Sequence, residues 1–120
     1  MPEYIELDVW KSSLALVKSV YQITRCYPKD EVFGLISQTK RAAVSISSNI
    51  AEGLGRSHKK ETLHFLSISK GSGYELQTHF IIGSELEFLS QTNFEELEKQ
   101  RARTMQLLNG FIRHIISKME

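Results

Sequence analysis

Apolar residues recur three and four positions apart through most of the chain, and strand-like alternation never lasts more than a few residues. Such spacing marks amphipathic helices, because positions i, i+3, i+4 and i+7 fall on one face of a 3.6-residue turn. The pattern predicts four helices, over about 8–27, 29–52, 57–90 and 93–118. Connections of two to five residues force neighbouring helices to run antiparallel. The expected fold is therefore all-α, an antiparallel up-down-up-down four-helix bundle in a single domain over 1–120.

Each predicted helix carries its own signals. The first has Trp10, Leu14, Val17 and Tyr21 in one stripe, widened by Leu16, Val20, Ile23 and Tyr27. Asp8 is placed to cap its start, and Pro28 to end it. The second has Asp30 and Glu31 in its first turn, where the helix dipole favours negative charge, and a face of Phe33, Ile36, Ala43, Ile46 and Ile50. Small residues from Ala42 to Ser48 let another helix come close. Gly53 and Gly55 can take the left-handed conformation that closes a helix. The third helix follows Ser57 as cap and meets Gly71, Gly73 and Gly83, each costing about 1 kcal/mol relative to Ala in a helix interior. Leu63, Leu66, Leu76, Phe80 and Leu89 continue the apolar pattern across them, which argues for close packing against the bare backbone. The fourth starts at a capping box, Thr92 with Glu95 or Asn93 with Glu96. Its apolar face is Leu97, Met105, Leu108, Ile112, Ile115 and Met119.

Composition limits the function classes. With 120 residues, 41% hydrophobic and 24% charged, the chain can bury a core of its own and need not be disordered. Cys26 is the single cysteine, so no intramolecular disulfide can form, which suits a reducing compartment. The acidic N-terminus lacks a signal pattern, and no apolar run nears the roughly 20 residues of a membrane span. A cytoplasmic location and no membrane partner are expected. Net charge is only +1, but its distribution is uneven. From Arg25 to Lys60 there are seven basic residues against three acidic, and from Glu85 to Glu98 there are five glutamates with no Lys or Arg.

Candidate chemistry is sparse. Ser-x-x-Lys occurs at Ser37–Lys40, Ser57–Lys60 and Ser67–Lys70, without the partner motifs a Ser nucleophile of that class needs. Glu61-x-x-His64 is half of a di-iron carboxylate signature, and no second copy exists. Gly53-Leu54-Gly55-Arg56 follows a helix instead of a strand and reads as a helix stop, not a dinucleotide fingerprint. Nothing calls for a catalytic group, a metal or a cofactor, so the chain reads as non-enzymatic.

One constellation stands out. Lys40 and Arg41 lie on the second helix, and Arg56, His58, Lys59 and Lys60 gather at the start of the third. A solvated charged face is the plain reading. The functional one is a phosphate-binding patch, since a helix start adds free amides and the positive end of a dipole. Asn49 and Ser57 add neutral donors. With no aromatic interleaving, binding would be directed at the nucleic-acid backbone and sensitive to salt.

The run from Gln38 to Arg56, QTKRAAVSISSNIAEGLGR, resembles the signature of a bacterial family of four-helix bundles encoded in intervening sequences of 23S ribosomal RNA genes, also labelled S23 ribosomal proteins. Leu7-Asp8-Val9-Trp10, Tyr27-Pro28-Lys29, Phe65 to Ser72 and Glu75-Leu76 add to it, so the resemblance spans about Leu7 to Leu89. Ser47 departs from the proline common there, and Ser69 from a small alanine. The resemblance implies a ring-like homopentamer. It also implies a relation to the accessory variability determinant of diversity-generating retroelements, a basic pentameric barrel that binds nucleic acid and a reverse transcriptase. Carried over, it makes Lys40, Arg41, Arg56, Lys59 and Lys60 the candidate contacts to RNA or DNA. Asn49, Glu52, Gly53 and Gly55 read as an architectural motif at the turn between helices 2 and 3 or at a subunit contact. The alternative is a protein–protein interaction scaffold with no nucleic-acid role, in which Glu85–Glu98 orients subunits or docks a basic partner.

Overall fold

The computed structural model describes residues 3–119; Met1, Pro2 and Glu120, which the single-domain reading included, lie outside them. A 3₁₀ turn at Glu3–Glu6 leads into α1 (Asp8–Ile23), α2 (Leu35–Leu54), α3 (Lys59–Glu85) and α4 (Gln91–Ser117). α1 packs against α2 and α4, and α3 packs against the same two, which sets α1 and α3 on a diagonal. The result is a four-helix bundle measuring 48 × 23 × 23 Å. Among the described residues there is no strand, and no helix is long and apolar enough to cross a membrane.

The core is a column of side chains with 0% exposure, including Leu16, Val20, Ile46, Ile50, Leu66, Leu76, Phe80 and Leu108. Each such burial stabilises the fold by about 1.5–3 kcal/mol relative to exposure. The buried stripes differ from the predicted ones because hydroxyls share them. In α1 the inward positions are Val9, Ser13, Leu16 and Val20, while Tyr21 faces outward. A hydroxyl can enter such a core only with a partner. The Ser13 hydroxyl donates to the Trp10 carbonyl (2.7 Å), Thr39 to Leu35 (2.7 Å) and Ser69 to Ile46 across the α2–α3 interface (2.8 Å).

α2 and α3 approach most closely where their residues are small. Ser45 and Ser72 hydroxyls meet at 2.8 Å, and the Thr62 hydroxyl donates to the Gly53 carbonyl at 2.7 Å. A Cβ at Gly53 would lie 3.0 Å from the Thr62 carbonyl oxygen. Gly53 and Gly55 therefore do not supply a left-handed stop: no described glycine has positive φ, and Gly55 sits at φ −82°. Gly53 is there for contact. Close packing also explains Gly73, against the Met105 side chain, and Gly83, where a Cβ would come 2.6 Å from the Tyr27 hydroxyl. Gly71 faces open space, so packing does not explain it.

Several helix ends move from their predicted places. The first connection is residues 24–34 and contains 3₁₀ turns at Thr24–Cys26 and Lys29–Glu31, so α2 starts at Leu35. Glu31 still serves that helix start, because its carboxylate accepts the Leu35 amide at 3.1 Å. Phe33, expected in the α2 core face, lies before the helix and is 95% exposed. The caps shift as well: Leu7 and His58 precede α1 and α3 without side-chain cap bonds, and Ser90, not Thr92 or Asn93, caps α4 by accepting the Asn93 amide (3.1 Å).

Candidate nucleic-acid interface

The five basic candidates do not form one cluster. Arg41 and Arg56 are separated by 15 positions, which is about 22 Å along the axis of a continuing helix at ~1.5 Å per residue. Lys40 and Arg41 belong to the first half of α2, Arg56 follows its end, and Lys59 and Lys60 open α3.

On α2, Lys40 is half-buried with its ammonium 4.6 Å from the Tyr21 ring centroid, a cation–π arrangement that ties α2 to α1. Arg41 is exposed. Both line an open groove of about 550 Å³ whose other walls include Tyr21, Val32, Phe33, Ile36 and Val44. Apolar surroundings of this kind suit a protein contact better than a hydrated phosphate.

The other end of α2 is different. The Glu52 carboxylate pairs with Arg56, whose guanidinium carbon lies 4.6 Å from the Phe65 ring centroid. That stacking fixes the Arg56 head, and the ion pair offsets much of its charge. Lys59 and Lys60 are exposed, and neither has an acidic partner among the described residues. They stand in the first turn of α3, where His58 provides no side-chain cap for the free amides. Glu61 is the one acid in that turn. Two lysines there oppose the helix dipole, which disfavours each cation by about 0.3–1 kcal/mol at low ionic strength. A bound anion would reverse that term.

Antiparallel topology brings the end of α4 to the same end of the bundle. Phe111 lines a cavity together with Ala51, Leu54 and Gly55, and exposed Arg113 and Lys118 follow in the next two turns. The spacing of charges along the chain did not single out this pair. Only the up-down order of the helices could have pointed to it.

Of the predicted architectural motif, Gly53 and Glu52 act at the turn, as described. Asn49 does not reach it; its amide donates back along α2 to the Ser45 carbonyl (2.8 Å) and hydroxyl (3.0 Å). Ser57 is exposed and caps nothing. Glu61 and His64 gather no further ligands: among the described residues, no three His, Cys, Asp or Glu side chains could together hold a metal ion. His64 instead packs edge-on to Phe65 at 5.6 Å.

The family model for the 23S rRNA-intervening sequence protein matches residues 5–110. The fold is similar to a crystal structure of a protein with unknown function from the S23 ribosomal protein family of Bacteroides thetaiotaomicron VPI-5482. That match has a TM-score of 0.80 at 18% identity and covers 87% of this chain and 97% of the other. No curated protein matches the chain.

Proposed function

The chain belongs to the family of 23S rRNA-intervening sequence proteins, and on that premise we propose that it is a non-enzymatic, homo-oligomeric bundle that holds RNA or DNA by the phosphate backbone. The basic end around the α2–α3 turn is the contact surface, with Lys59 and Lys60 as its centre and Arg56 at its edge. The observation that carries the reading is the pair of exposed lysines, without an acidic partner among the described residues, held against the dipole of α3. Locally unfavourable residues of this kind point to a role outside the fold. Lysine serves a phosphate as a flexible point charge, without geometric selectivity. Repeating a modest patch around a closed assembly multiplies the charge that a long polyanion meets.

Fluorescence anisotropy with labelled structured RNA and duplex DNA tests this. The Lys59→Gln/Lys60→Gln double variant should bind at least about tenfold more weakly. Its thermal midpoint should stay level or rise, since the opposed dipole is relieved. Equal affinity in the variant, or no binding by the parent protein at low salt, would remove the proposal.

The rival reading, a protein scaffold without nucleic acid, has its own observation in the exposed Phe33 beside an apolar groove. A partner retained through nuclease treatment, with no RNA or DNA bound, would favour it.

A further inference from the structure

We propose that the groove between α1 and α2 receives the acidic C-terminal end of α3 from a second copy of this chain. The inference rests on the homo-oligomeric part of the function above and names the surfaces that make the assembly. Phe33 is 95% exposed beside Val32 at 48%, Tyr21 at 41% and Val44 at 38%. Leaving this much apolar surface in water is unfavourable, and contiguous patches of this kind mark interaction sites. Arg25 and Lys29 join Lys40 along the adjoining hollow, and Arg41 flanks the groove itself. The acids nearby are Asp30 and Glu31, and Glu31 is occupied by the Leu35 amide. The groove is thus apolar with a basic rim.

The complement is on the same molecule. At the end of α3, Leu86 is 53% exposed and Ile82 39%, and Glu85 and Glu87 flank Leu86. No Lys or Arg occurs between Glu85 and Glu98. Groove and ridge sit at the same end of the bundle, because Tyr27 in the first connection packs against Phe88 (5.7 Å between ring centroids) and Gly83. They lie on different faces: the groove spans α1 and α2, while α3 is diagonal to α1 and contributes nothing to the groove lining. One molecule cannot fill its own groove. Two copies can, side by side and level. Such a contact joins unlike patches, so it propagates from copy to copy until it closes as a ring. Charge complementarity sets the register, and the buried aromatic supplies most of the affinity.

Sedimentation velocity over a concentration series tests the proposal, with circular dichroism to confirm the fold. Phe33→Asp changes an exposed residue, so helicity should be unaltered while the dissociation constant of the assembly rises at least about 30-fold. Lys29→Glu/Arg41→Glu and Glu85→Lys/Glu87→Lys should each dissociate it, and the quadruple variant, with both patches reversed, should reassemble. An assembly that persists in Phe33→Asp, or a quadruple variant no better than either double, overturns this interface and leaves the homo-oligomer standing. A parent protein that sediments as a single chain at every concentration overturns both.

Discussion

Gly53 and Gly71 are eighteen positions apart and have opposite reasons to be glycine. At Gly53 the α3 backbone lies where a side chain would go, with the Thr62 carbonyl oxygen 3.0 Å and the Phe65 Cβ 3.1 Å from an added Cβ. At Gly71 nothing lies within 4 Å. Gly53→Val should lower stability by about 3 kcal/mol by pushing α2 and α3 apart, and damage folding before it affects any binding. Gly71→Ala should raise stability by about 1 kcal/mol through helix propensity alone. Denaturant unfolding of the two variants against the parent decides both. The sequence marks these positions equally, since a glycine shows only that a side chain is missing. Tyr27 was equally opaque: it reads as the last helical turn, yet lies in the connection, 4% exposed, and burial pushes its hydroxyl up to about 12.

At the scale of elements, interiors were legible and ends were not. Periodicity located four helices because apolar burial dominates their interiors. Their termini depend on single hydrogen bonds that many polar residues can make. α3 was expected to reach Ser90, but it stops at Glu85 in a Schellman motif: the Phe88 amide donates to the Gly83 carbonyl (2.9 Å) and the Glu87 amide to Ser84 (3.0 Å). Glu87 takes the left-handed position at φ 63°, which glycine fills without strain. Glu87→Gly should therefore stabilise the bundle by about 1 kcal/mol, measured by thermal unfolding in the Phe33→Asp background to keep assembly out of the comparison. α4 hides a second surprise, for Arg101 occupies its buried stripe between Leu97 and Thr104. It is held by Glu98, which accepts from the Arg101 Nε at 2.8 Å and from the Gln77 amide at 2.9 Å. The Arg101 hydrogen bond, with help from its charge and from Gln77, holds the Glu98 carboxyl below the ordinary carboxylate value despite partial burial. Because the folded value lies below the unfolded one, the contribution is complete above about 4.5 and is lost as pH falls through the folded value. Glu98→Gln should flatten that acid limb in denaturant midpoints taken from neutral pH to pH 3.

Across the whole molecule, the charge polarity seen in the sequence divides into two surfaces with different work. The stretch from Arg25 to Lys60 looked like one patch, because linear order conceals that the rest of α2 after Arg41 separates its halves. Arg25, Lys29, Lys40 and Arg41 surround an apolar groove, and Lys59 and Lys60 stand clear at the other end. Helical pairing explains the split, and it also brings Arg113 and Lys118 to the free end. The division makes assembly and polyanion binding separable. Changes at Phe33 should act on nucleic acid only by reducing the number of patches per particle, whereas changes at Lys59 and Lys60 should leave the assembly intact. The most direct test of phosphate-backbone binding at that end is the slope of log affinity for duplex DNA against log salt concentration. For about six neutralised phosphates the parent slope should be near −5, and Lys59→Gln/Lys60→Gln should be shallower by about two or more. A flat slope, or a double variant whose slope matches the parent, would contradict it.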